Sequence, residues 1–221
     1  MGDLDKVAVL ASGGLDSSVM LAELTKRFVA VHPIYVSCGL VWESEEKMYL
    51  RKFISKLGNP RIKEVCVLTL PTTDIYGDQW FTTGEGIPVY HDPDEEWEIP
   101  GRNIILLAKA AVWAKLNSIS QIGIGSLGSN PFSDATEKFF SSAEKMFSLG
   151  LNWPLKILRP FAQMSKADII SVGNYLPLES TLSCACPVKG KHCRACGKCR
   201  ERVEGFAESG ISDPTPYGSN L

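Results

Sequence analysis

No run of apolar residues in this sequence approaches the length that spans a bilayer, so no membrane helix is expected. Charge of one sign is equally scarce. Twenty-three basic residues stand against 25 acidic ones, a net charge of −2, which argues against a protein that coats nucleic acid. The start, Met1-Gly2-Asp3-Leu4-Asp5-Lys6, lacks the basic-then-apolar layout of a secretory leader, and Lys6 replaces the hydroxyl residue that a myristoylation signal needs. The cytoplasm is the expected compartment. One common nucleotide signature is missing as well, since the chain holds no G-x-x-x-x-G-K-[ST].

What is present is a chain of 221 residues, enough for one substantial core, with 44% hydrophobic and 22% charged residues. Lys6 to Ala11 is a continuous apolar run of the kind found in central parallel strands. A turn follows, then helical spacing from Ser17 to Arg27. Strands are predicted over 28–37, 62–68, 121–125 and 156–158. Helices are predicted over 44–57, 103–116, 136–149 and 166–175, the last capped by Ser165 with Asp168 three residues on. This alternation implies an α/β fold, a doubly wound parallel sheet with helices on both faces. Residues 71–100 show no period and read as a long loop. Its aromatic residues Tyr76, Trp80, Phe81, Tyr90 and Trp97 are expected mainly to anchor it to the core.

In such sheets ligands lie beyond the carboxyl ends of the strands. The first such loop is Ala11-Ser12-Gly13-Gly14-Leu15-Asp16-Ser17-Ser18. Its glycines let backbone amides approach a ligand, and the following helix start favours an anion. Asp16 would repel phosphate unless Mg2+ bridges the two.

The seven cysteines divide unevenly, with Cys38 and Cys66 in strand-like surroundings and five crowded between 184 and 199. Cys184, Cys193, Cys196 and Cys199 have the spacing of a closed four-thiolate Zn2+ site, with Cys186 to spare and an iron–sulfur cluster as the competing occupant.

Ser12-Gly13-Gly14-Leu15-Asp16-Ser17 matches the SGGxDS signature of the N-type ATP pyrophosphatases, whose fold is adenine nucleotide alpha hydrolase-like. Three further segments narrow the likeness. Ile99-Pro100-Gly101-Arg102-Asn103, Lys166-Ala167-Asp168 and the cysteine segment from Thr181 to Arg200 resemble, in order, those of the 7-cyano-7-deazaguanine synthase family. The resemblance implies a pyrophosphatase domain over 1–180 and a zinc-binding segment over 181–221. It implies ATP as cosubstrate, a deazapurine acid and ammonia as the other reactants, and a homodimer. Nucleic acid is not expected as the direct substrate. Asp16, Arg102 and Lys166 are the catalytic candidates, and Arg102, Asn103 and Asp134 the substrate-binding ones.

Two segments depart from the family pattern. Gly39-Leu40-Val41-Trp42-Glu43 stands in place of a polar Q-R-H type segment, and residues 129–136 in place of an acidic and aromatic one. Both are expected to face the substrate. A divergent adenylating enzyme with another acceptor, a tRNA-thiolase-like enzyme, and a zinc-bearing module that only senses nucleotide are the alternatives.

Overall fold

A computed structural model describes residues 5–218; residues 1–4, on which the reading of the N-terminus falls, lie outside them. Five parallel strands form one sheet in the order β3-β2-β1-β4-β5. They are β1 (Lys6–Leu10), β2 (Ala30–Ser37), β3 (Cys66–Thr69), β4 (Gln121–Gly123) and β5 (Lys156–Leu158). The chain order reverses between β1 and β4, so the loops after those strands flank the crevice where doubly wound sheets bind ligands.

Side chains of β1 alternate between two cores. Val7 and Val9 pack with α1 (Leu15–Leu24), α2 (Glu43–Leu57), α7 (Lys166–Val172) and Phe206 of α8 (Gly197–Ser209). Ala8 and Leu10 pack on the other face with α5 (Arg102–Leu116) and α6 (Glu137–Gly150). Both faces being covered explains why β1 reads as unbroken apolar sequence.

Helix starts match their signals. Ser165 caps α7 in a capping box with Asp168, and Thr136 caps α6 by accepting from the Phe139 amide. Each such cap contributes about 1 kcal/mol. Several boundaries move, with α1 running over Leu15–Leu24, β2 starting at Ala30 and β4 ending at Gly123. β3 begins at Cys66, with Ile62 making only an isolated bridge to Val31; α7 ends at Val172 rather than Tyr175; and α8 was not foreseen. The segment 71–100 contains the one-turn helices α3 (Thr73–Tyr76) and α4 (Trp80–Thr83) and a 3-10 turn over Asp94–Trp97.

The C-terminal segment is fastened by a buried cation. Arg202 donates to Thr215 Oγ1 at 2.6 Å, Thr181 Oγ1 at 2.9 Å and the Leu178 carbonyl at 2.8 Å, joining α8 to the chain before and after it. Residues 211–218 are extended but packed, with Tyr217 donating to Asp213. No helix among the described residues is long and apolar enough to cross a membrane.

Candidate active site

The loop between β1 and α1 is shaped by its small residues. Gly13 has φ +84°, and a Cβ there would stand 2.6 Å from the Glu46 carbonyl oxygen, so the loop lies directly against the first turn of α2. Ser12 Oγ accepts from the Gly14 amide at 3.2 Å, and Ser17 Oγ donates to the Gly14 carbonyl at 3.2 Å. The C-terminal segment closes over it: the Leu182 amide donates to the Gly13 carbonyl at 2.8 Å, and the Leu15 amide to Ser183 Oγ at 3.4 Å. Ser18 is a buried support, whereas Ser12, Gly14, Leu15, Asp16 and Ser17 line an open cavity of 380 Å³ and Ala11 lines an adjoining one. That volume suits a nucleotide-sized ligand.

Asp16 and Lys166 meet in this cavity. Lys166 Nζ lies 2.6 Å from Asp16 Oδ2 and 2.9 Å from Glu201 Oε1, with Lys198 3.6 Å from the same Glu201 carboxylate. Burial raises the Asp16 pKa despite the opposing pull of Lys166. Burial also acts to lower that of Lys166, but Asp16 and Glu201 outweigh it and hold the ammonium firmly protonated. Burial works against the Glu201 carboxylate too, yet Lys166 and Lys198 bring it down to about 2.

Arg102 begins α5 and lines both this cavity and an adjoining one of 230 Å³. Its backbone amide donates to the Ile99 carbonyl, but among the described residues its guanidinium makes no ion pair or hydrogen bond. Asn103 and Asp134 line the smaller cavity but engage each other: the Asn103 amide donates to Asp134 Oδ2 at 2.8 Å and its Nδ2 to the Asp134 carbonyl at 3.0 Å. Asp134 thus serves the exposed amides at the start of α5, whereas the cap of α6 is Thr136.

Both divergent segments face the cavities, through Trp42 of the first and Ser129, Asn130, Pro131 and Phe132 of the second. The long loop anchors as expected through buried Phe81 and Trp97. It also contributes to the wall, because Trp80 stacks on Trp42 at 5.7 Å and Trp42, Trp80 and Trp97 all line the larger cavity. Arg200 holds that loop down, donating to the carbonyls of Tyr90 at 2.7 Å and Asp92 at 3.0 Å and pairing with Asp94.

Sequence reasoning missed Glu201, Lys198, Ser183 and Glu46. The first two sit on α8, whose period was hidden behind the cysteines. Glu46 sat in an acidic run resembling a solvated helix start, yet Glu43 and Glu46 are buried at i,i+3 spacing. Glu43 accepts from the amides of Cys38 at 2.6 Å and Gly39 at 3.1 Å, closing the end of β2.

The sulfur atoms of Cys184, Cys193, Cys196 and Cys199 are buried and lie within 4.8 Å of one another. Cys193 and Cys199 are 3.8 Å apart, and sulfurs around a tetrahedral zinc stand about 3.8 Å apart given its bond length. The donor set fits a closed metal site. Cys186 lies 3.3 Å from Cys193, outside the four.

A parallel sheet with an SGGxDS loop at the crossover and a four-cysteine cluster closing over it defines a PP-loop nucleotide-binding protein. Residues 6–210 match the model of the queuosine biosynthesis protein QueC, and the chain belongs to that family. A 7-cyano-7-deazaguanine synthase from a Sulfurihydrogenibium species is 34% identical, covering 96% of this chain and 98% of its own. One from Thermoplasma volcanium is 33% identical, covering 96% and 90%. A U34-tRNA thiolase of Methanococcus maripaludis, whose structure carries a 4Fe–4S cluster, shares the fold with a TM-score of 0.54 at 16% identity, covering 95% of this chain and 68% of its own.

Proposed function

We propose that this chain converts 7-carboxy-7-deazaguanine, ammonia and ATP to 7-cyano-7-deazaguanine through an adenylated intermediate. The observation that carries the reading is Arg102, a cation uncommitted among the described residues, facing the same cavity as the phosphate loop. Loop amides and the hydroxyls of Ser12 and Ser17 bind the β- and γ-phosphates, and Lys166 adds a point charge. Arg102 pairs with the substrate carboxylate and turns its oxygen toward the α-phosphorus. Mg2+ held by Asp16 would offset charge on the pyrophosphate leaving group. Adenylation makes the carboxyl oxygen a good leaving group, ammonia displaces AMP to give the amide, and a second activation removes the amide oxygen to leave the nitrile. The chain is thereby a ligase forming carbon–nitrogen bonds. Zn2+ on the four cysteines of the 181–221 segment would lock the start of α8 and take no part in the reaction. We expect a cytoplasmic homodimer.

Incubation with ATP, Mg2+, ammonium and 7-carboxy-7-deazaguanine, read by mass spectrometry, tests this. A nitrile product supports it, and consumption of neither ATP nor acid overturns it. The divergent walls at Trp42 and 129–132 favour a second reading, the same adenylation with transfer of the deazapurine to a protein or nucleic-acid amine. Release of AMP only with such an acceptor would select it.

A further inference from the structure

Glu46 is a buried carboxylate on the wall of both cavities, beside a loop built to hold anions. Its neighbour Glu43 is fully used by backbone and hydroxyl donors at the end of β2, whereas the Glu46 carboxylate accepts from Tyr35 Oη at 2.8 Å, has the Trp42 side chain as a second donor, and lines both cavities. The contact of its backbone with Gly13 fixes it at the phosphate loop. Trp42 and Trp97 bound the same space. Two of the three reactants of the proposed synthesis, ATP and the carboxylic acid, are anions that this carboxylate repels. The third, ammonium, is a cation, which a buried carboxylate attracts.

Resting on the synthase reading, we propose that Glu46 forms the ammonium subsite and takes the proton that converts ammonium to ammonia for attack on the adenylated carboxyl carbon. The N–H bond breaks toward a Glu46 oxygen, which becomes protonated. The freed nitrogen lone pair forms the C–N bond, and the C–O bond to AMP breaks with its electron pair leaving on the AMP phosphate. The nitrogen then sheds a second proton to solvent, and Glu46 returns its own proton to solvent before the next turnover. Burial pushes the Glu46 carboxyl up to about 7, with Glu43 assisting and Arg102, the Tyr35 hydroxyl and the Trp42 side chain opposing. That position suits proton transfer near neutral pH. The charged groups that line the larger cavity with it are Asp16, Asp94, Arg102, Lys166, Lys198, Arg200, Glu201 and Glu204, of which Arg102 acts on it most strongly.

The test is steady-state kinetics of Glu46→Gln with ammonium varied over a pH series, beside adenylation alone read as pyrophosphate exchange into ATP without ammonium. Expected is a fall of about 10²-fold in kcat/KM for ammonium at neutral pH, recovered as rising pH supplies free ammonia, with exchange not diminished. Tyr35→Phe, which keeps the carboxylate but removes a donor to its ionised form, should move the acidic limb of the ammonium-dependent rate to higher pH. An unmoved limb together with an unchanged ammonium term in Glu46→Gln overturns the proposal. So does a loss confined to the KM of the deazapurine acid, which would make Glu46 a reader of the base's N–H edge. Wild-type protein that forms no amide overturns the synthase reading itself, and this inference with it.

Discussion

Lys166 Nζ holds Asp16 Oδ2 at 2.6 Å, joining two residues 150 positions apart at the mouth of the phosphate loop. The pair is asymmetric because Lys166 also holds Glu201, so each partner's removal has a different consequence. In Asp16→Asn the ammonium keeps Glu201, and the fold should persist while ATP turnover is lost. In Lys166→Met the buried Asp16 carboxylate loses its partner and Glu201 keeps only Lys198 at 3.6 Å, and the chain should lose about 3 kcal/mol. That loss should shrink in acid as a carboxylate is protonated. Urea unfolding at two pH values with an ATPase assay checks both, and normal turnover by Asp16→Asn would remove Asp16 from the metal's ligands.

The cysteine cluster is tied to the nucleotide site through α8. Cys196 is its N-cap residue, and Lys198 and Glu201 project from its first turns into the cavity. Cys196→Ser or chelator treatment should therefore remove the metal, destabilise the C-terminal segment and weaken ATP binding together. Elemental analysis with calorimetric ATP titration checks this and separates zinc from iron. Full metal content in Cys196→Ser would mean the ligand set is wrong, and full ATP affinity in metal-free protein would uncouple the two sites.

What could be read from sequence divides along a physical line. Strands covered on both faces, such as β1, announce themselves as apolar runs, and the glycine pair and cysteine spacing are local patterns tied to local geometry. The sheet, the glycine-rich loop after β1 and the clustering of the four cysteines were legible for that reason. Glu201 and Glu46 were not, because their importance depends on which distant residue they meet: Lys166 for one, Tyr35 and the wall near Arg102 for the other. Asp134 was legible as a residue but not as a partner of Asn103, since only the tertiary contact brings them together. Helix α8 was masked by mean polarity and by cysteines that belong to the cluster rather than to a helical face.

Gly13 tests how closely the loop must approach α2. A methyl group there would meet the Glu46 carbonyl at 2.6 Å and the Leu50 amide nitrogen at 2.9 Å, and φ of +84° disfavours any side chain. Gly13→Ala should cost about 2 kcal/mol from backbone strain and displaced packing. It should also raise the Kd for ATP by moving the amides. Equilibrium unfolding and ATP titration read the two effects, and wild-type ATP affinity would show that the loop tolerates a shift.

Glu46 should also leave a mark on stability that needs no substrate. Its pKa is raised from 4.5 to about 7, chiefly by burial, so the folded chain keeps this proton after the unfolded chain has released it. Between those values the native state binds more protons, and stability must fall as pH rises through the window. The full difference corresponds to about 3 kcal/mol, reached above neutrality, where a bare carboxylate is held beside the phosphate loop. Glu46→Gln removes the titration while keeping an acceptor for the Tyr35 hydroxyl. It should thus unfold at higher urea than wild type at pH above about 7, with the difference narrowing by about 3 kcal/mol toward pH 4. Parallel pH–stability curves for the two proteins would show that the carboxylate is solvated well enough to titrate normally. Converging curves would mean that the fold retains a destabilising ionised group, as expected where a charge serves the chemistry of a site rather than its packing.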